Sequence, residues 1–180
     1  METGQRALSG CQLIALEKIQ TTQHLARRVL PFIRAAMPDA ELWLAGGHEQ
    51  SIEPLRDLPG VRVLGFVPDL RELLAQVRLV LAPLWSGGGF RVKNATALAH
   101  GVPVVSNALG SRGCRAPSPA VTIAEDDEGL AQGALELLRS PELAARGGEL
   151  ARRWARDELS PDSVAEQQLH RIDELLRSRR

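Results

Sequence analysis

Six short apolar runs, each separated from the next by a longer amphipathic or turn-rich stretch, constrain this chain more than any other feature. They read as strands near Gln12–Leu16, Glu41–Ala45, Val61–Phe66, Leu79–Pro83, Pro103–Asn107 and Ala120–Ala124. Several are rich in Val, Ile and Leu almost throughout instead of alternating with polar residues, as strands buried on both faces should be. The stretches between them carry helix signals. Thr22–Met37 is closed by Pro38-Asp39, and Asp69 is placed to cap a short helix through Leu70, Leu73 and Leu74. Arg91–Gly101 ends on a glycine with Pro103 two residues beyond it. This alternation predicts an α/β fold with a doubly wound parallel sheet of about six strands. Beyond Ala124 the pattern turns helical over Asp126–Leu138, Pro141–Asp157 and Asp162–Arg177, with Pro141 and Pro161 at first-turn positions. No repeat or low-complexity linker interrupts it, so residues 12–180 read as one domain behind an N-terminal extension, 1–11.

Composition removes several function classes. A chain of 180 residues with 44% hydrophobic and 24% charged residues is that of a globular protein able to bury a substantial core. Net charge is zero, so no basic field gathers nucleic acid or acidic membrane, and 3% aromatics leaves little to stack on unpaired bases. No apolar run approaches the ~20 residues that cross a bilayer. The N-terminus, Met-Glu-Thr-Gly-Gln-Arg, lacks a signal-peptide pattern, which leaves a cytoplasmic protein as the expectation. Cys11 and Cys114 stand far apart with no ligand spacing and read as structural thiols. All but Lys18 and Lys93 of the 22 basic residues are Arg.

Ligands of open α/β sheets bind outside the carboxyl ends of the strands. The stretch leaving the fourth predicted strand runs Leu84-Trp85-Ser86-Gly87-Gly88-Gly89-Phe90-Arg91-Val92-Lys93-Asn94. Three consecutive glycines clear side chains from a place where a charged ligand can approach the backbone. The helix that follows turns its unpaired N–H groups and the positive end of its dipole toward that place. Arg91 and Lys93 add two positive charges in the first turn, where each opposes the dipole at a cost of about 0.3–1 kcal/mol. A bound diphosphate turns that cost into a gain, Arg offering a fork and Lys a point charge. The plainer reading is a flexible loop followed by a solvated basic turn.

Four blocks in order now carry a resemblance. They are Leu64-Gly65-Phe66-Val67-Pro68-Asp69-Leu70, Leu81-Ala82-Pro83-Leu84, Gly87-Gly88-Gly89-Phe90-Arg91-Val92-Lys93, and Ala97-Leu98-Ala99-His100-Gly101-Val102-Pro103-Val104-Val105. Together, with the spacing between them, they resemble the group 1 retaining glycosyltransferases. Those enzymes have the glycosyltransferase-B architecture, two Rossmann-like halves facing across a cleft. The likeness covers Glu41–Leu138 and, more loosely, Gln12–Met37. It implies the C-terminal, donor-binding half and a nucleotide diphosphate sugar, UDP- or GDP-type, as ligand. It further implies that Gly65, Phe66 and Val67 meet the base and that Gly87, Gly88 and Gly89 lie near sugar and phosphates. Arg91 and Lys93 are then the catalytic pair that stabilises the leaving diphosphate. Ser111 and Arg112, in Gly110-Ser111-Arg112-Gly113-Cys114, line the pocket as second-tier candidates. No cofactor and no tightly bound metal is implied.

Two departures from the family pattern stand out. Relatives carry a Glu that grips the ribose hydroxyls where this chain has Thr96, whose hydroxyl cannot make the charge-assisted pair; the loss is about 1–3 kcal/mol. The other Glu of many relatives falls on Gly88. The resemblance also implies an acceptor-binding half that is not read in these residues, so the chain is expected to be either a piece of a longer product or a degenerate single half. Leu16–Thr22 lacks the turn signals of relatives. The alternative reading is therefore a degenerate, non-catalytic α/β interaction module.

Several features are read plainly. Ala45-Gly46-Gly47-His48-Glu49 lacks the third glycine of a dinucleotide fingerprint. His24, His48, His100 and His170 have no metal spacing and read as surface or capping residues. Glu125-Asp126-Asp127-Glu128 reads as helix capping, and Trp43, Trp85 and Trp154 as packing residues, Trp85 being a lesser candidate for ligand contact.

Overall fold

The computed structural model describes residues 12–15, 19–46, 52–87 and 89–177, the side chains at 167 and 173–175 excepted. Residues 1–11, 16–18, 47–51 (with Gly47-His48-Glu49), Gly88 and 178–180 lie outside the described residues.

All six expected strands form: β1 Gln12–Ala15, β2 Glu41–Ala45, β3 Val61–Gly65, β4 Leu79–Leu81, β5 Val104–Ser106 and β6 Val121–Ile123. They make one parallel sheet in the order β3-β2-β1-β4-β5-β6. The two-faced burial inferred from the apolar runs is what the side chains show. Leu13 and Ala15 of β1 point into one apolar layer and Ile14 into the other, the two-residue period of a pleated strand.

Helices cover both faces. The first, α1, begins as Ile19–His24, widens to π turns over Leu25–Val29 and resumes as Leu30–Ala36. Its buried residues fall at 21/22, 25/26, 29/30 and 33. A strict four-residue repeat drifts about 40° per turn on an unbroken α-helix, and the wider i→i+5 turns take up that drift. Helix α1 shares its layer with α4, Asp127–Arg139, through Leu25, Val29, Ile33, Leu130 and Ala134. The opposite layer takes α2 (Leu70–Leu74), α3 (Val92–Ala99) and α5 (Pro141–Leu159). Asp69 caps α2 by accepting the Arg71 N–H at 2.8 Å, as its position in sequence predicts. Helix α5 packs closely on the end of α3: a methyl at Gly148 would meet the Gly101 carbonyl.

The last helix, α6, spans Pro161–Arg177 and packs on α5. Its Val164, Leu169, Ile172 and Leu176 are exposed. Among the described residues no helix is long and apolar enough to cross a membrane.

Strand β1 lies between β2 and β4, so strand order reverses at the β1/β4 boundary. Ligands of open parallel sheets bind beyond the carboxyl ends of the strands at such a reversal. Helix α1 follows β1 in the chain and the glycine turn follows β4, one from each side of the reversal.

Candidate functional site

The glycine turn leaves β4 through Ala82, Pro83 and Leu84, all buried. Trp85 then emerges half-exposed, and Gly87 and Gly89 follow with φ of 113° and 87°. Residues with a Cβ rarely adopt those angles, so the turn demands glycine at both places. Space around Gly89 is open, with nothing within 4 Å of where a Cβ would stand.

Arg91 occupies the N-cap position of α3 with no side-chain cap bond. Its guanidinium instead reaches across the turn: Nε donates to the Leu109 carbonyl at 3.3 Å, and Nη2 to the carbonyls of Leu109 at 3.2 Å and Gly87 at 3.4 Å. Arg91 thus ties the loop after β4 to the loop after β5, on the carboxyl edge of the sheet. Lys93 follows, exposed, at the second residue of α3, and no acidic residue stands in that first turn. The positive end of the helix dipole and two cations therefore share one small region without a carboxylate on the same turn.

The remaining expected residues fall at different distances from this centre. Gly65 ends β3 with φ of 67°, Phe66 beside it is 72% exposed, and Val67 is half-buried. Three strand spacings separate β3 from β4, about 14 Å across the carboxyl edge. Ser111 is buried after β5 and donates weakly to the Ala108 carbonyl at 3.3 Å, while Arg112 is exposed. Thr96 turns inward on its own helix, its hydroxyl donating to the Val92 carbonyl at 2.8 Å. Its proton is thereby committed, and only acceptor capacity remains for a ligand. His100 lies at the far end of α3, its Nδ1 2.8 Å from the Thr96 carbonyl oxygen.

Sequence reasoning missed the residues that hold this edge together. Asn107, 5% exposed, is in sequence only the end of an apolar run. Its Oδ1 accepts the N–H groups of Leu84 at 3.0 Å and Gly110 at 2.8 Å, and its Nδ2 donates to the Leu84 carbonyl at 3.0 Å. The side chain acts as a piece of backbone joining two loops. Asn94, 1% exposed, donates through Nδ2 to the Gly110 carbonyl at 2.8 Å, and its Oδ1 has no hydrogen-bond partner among the described residues. Ser106 donates to the Ala82 carbonyl at 2.7 Å, and Glu125 accepts the Ala108 N–H at 2.9 Å. Gly110 fits because a Cβ there would stand 2.5 Å from the Ala82 carbonyl oxygen. The available signal was polar type at an apolar position: Asn94 sits on the buried face of α3, and Asn107 ends an otherwise apolar strand.

The acidic run after β6 divides its labour. Asp126 caps α4, accepting the Gly129 N–H at 2.7 Å. Asp127 instead reaches α1, its Oδ1 2.6 Å from Nε2 of His24 and its Oδ2 3.6 Å from Nε of Arg28. His24 in turn packs on Trp85, ring centroids 4.2 Å apart and planes tilted by 50°. Cys114 lies behind the site, 3.8 Å from the Arg91 carbonyl, and burial pushes its thiol up to about 11 against the opposing pull of the Arg91 charge. Among the described residues no group of three or more His, Cys, Asp or Glu is placed to hold a metal ion.

The fold is that of a Rossmann-like domain of the glycosyltransferase-B kind. The family model for group 1 glycosyl transferases matches residues 13–140, and the chain belongs to that family. No curated protein sequence matches it. Among solved structures it is similar to S. aureus TarM in a complex that includes UDP, at 16% identity and a TM-score of 0.74, over 94% of this chain and 37% of that one. HepE of Anabaena in complex with UDP matches at 17% identity and a TM-score of 0.73, over 92% of this chain and 49% of that one. WaaG, a glycosyltransferase involved in lipopolysaccharide biosynthesis, matches at 19% identity and a TM-score of 0.61, over 83% and 43%. The chain spans less than half the length of each of these.

Proposed function

We infer that residues 12–180 are the donor-binding half of a nucleotide-sugar glycosyltransferase. They hold a UDP- or GDP-type sugar and transfer it when joined to an acceptor-binding half. The observation that carries this is the Arg91 guanidinium at the mouth of the glycine turn, beside Lys93 and the start of α3. Breaking a bond to a nucleoside diphosphate leaves negative charge on the departing phosphates, and preorganised cations and N–H dipoles lower that barrier. Arg91 supplies a planar fork, Lys93 a mobile charge, and α3 its unpaired N–H groups. Gly65, Phe66 and Val67, about 14 Å across the edge, suit the base of an extended nucleotide whose phosphates rest at Gly87–Gly89. Ser111 and Arg112 border the same space from the β5 side.

The test is calorimetric titration of the folded chain with UDP, GDP and their sugars. Binding is expected with at least one nucleotide. The joint substitution Arg91→Ala and Lys93→Ala is expected to weaken it by at least ~100-fold, two charge-assisted contacts being lost. Absence of heat at about millimolar nucleotide would defeat the reading.

The Thr96 hydroxyl bonded to Val92 favours a second reading, a non-catalytic α/β module. That reading requires the Arg91 and Lys93 double variant to match the wild-type chain in every property measured.

A further inference from the structure

Three glycines in a row make a turn that is costly to order, each glycine losing about 0.5–1 kcal/mol more than alanine on being fixed. A site that must present backbone to a diphosphate needs that turn held in place before ligand arrives. Asn107 holds its root at Leu84, and Arg91 holds its far side at Gly87. Between these points the chain carries Trp85, whose indole is 45% exposed at the carboxyl edge.

Against that indole rests His24. The two rings come from the two sides of the strand-order reversal, His24 from the helix after β1 and Trp85 from the segment after β4. Their contact therefore joins elements from both sides of the reversal, the place where ligands of such sheets bind. The imidazole is itself steered by the Asp127 carboxylate at the start of α4, with Arg28 of α1 on the other carboxylate oxygen. A surface ion pair would have no need of the aromatic contact, and a packing Trp would have no need of a partner oriented by a third element.

We propose that His24 is a positioning residue of the donor site: held by Asp127, its ring is the platform that fixes Trp85 and, through Trp85, the first residues of the glycine turn. This rests on the donor-binding reading and adds to it a residue that touches neither sugar nor phosphate. His24 acts on affinity by sparing the ligand the work of ordering the turn.

Two variants test it. His24→Ala removes ring and hydrogen bond together, whereas His24→Gln keeps a polar partner for Asp127 without the ring. Both are expected to bind the nucleotide about three- to tenfold more weakly than the wild-type chain, as loss of one ring contact predicts. Both should also shift the Trp85 emission to the red, a change absent in a Trp85→Phe background, with circular dichroism unchanged. Unaltered affinity in both variants overturns the proposal, as does full recovery of affinity and emission in His24→Gln, which would reduce the histidine to an ion-pair partner. A folded wild-type chain that takes up neither UDP nor GDP overturns the donor-binding reading and this role with it. Wild-type binding with variant affinities unchanged removes the role alone.

Discussion

At the scale of single residues, Asn107 joins the segment after β4 to the loop after β5 through its side chain. Its three hydrogen bonds satisfy two buried N–H groups and one carbonyl. Asn107→Ala strands these groups, and each buried group left unpaired costs about 1–3 kcal/mol. We expect the variant to melt well below the wild-type chain, and Asn107→Asp, which keeps the acceptor, to lie between them in a thermal scan. Cys114 offers a chemical readout of the same region. Its thiol stands near 11, against an ordinary 9.0, because burial disfavours the thiolate. Iodoacetamide at about pH 8 should leave it unmodified in the folded chain and alkylate it in urea, as mass spectrometry of the peptide would report. The unfolded thiol loses its proton first, so stability should fall as pH rises from 9.0 toward about 11. Below that window this thiol makes no pH-dependent contribution.

At the scale of elements, α3 carries Arg91 at its start and Lys93 in its first turn, the two cations of the proposed donor site. Its anchor is Leu98, fully buried among Val102, Val104 and Ala151 in the layer shared with α5. Leu98→Ala is expected to cost about 2–5 kcal/mol by denaturant unfolding, the range for large-to-small changes in a packed core. Asp126 sets the start of α4, and with it the position of the neighbouring Asp127. Asp126→Ala should cost about 0.5–2 kcal/mol as a lost N-cap. A larger loss of nucleotide affinity than this stability change explains would tie the α4 terminus to the site.

At the scale of the whole molecule, the two apolar layers close around one sheet, and α6 adds no fully buried side chain among its described residues. Replacing Leu169 and Ile172 by Glu together should therefore shift unfolding of this chain by no more than about 0.5 kcal/mol per substitution. The six strands, the capped helix after Asp69 and the helical C-terminal third were legible in the sequence. Periodicity, caps and glycine–proline punctuation are local properties, and burial on both faces leaves its mark directly on residue type. The glycine turn and the basic start of α3 were legible for the same reason, being eleven consecutive residues of one segment from Leu84 to Asn94. What only the tertiary structure decided is who meets whom across the carboxyl edge. Asn107 reaches Leu84 from 23 positions away, and Asp127 reaches His24 from 103. A polar side chain in sequence states its capacity to bond but not its partner. The partner is chosen by strand order, which brings α1 and the segments after β4, β5 and β6 together, and that order is a property of the packed sheet alone.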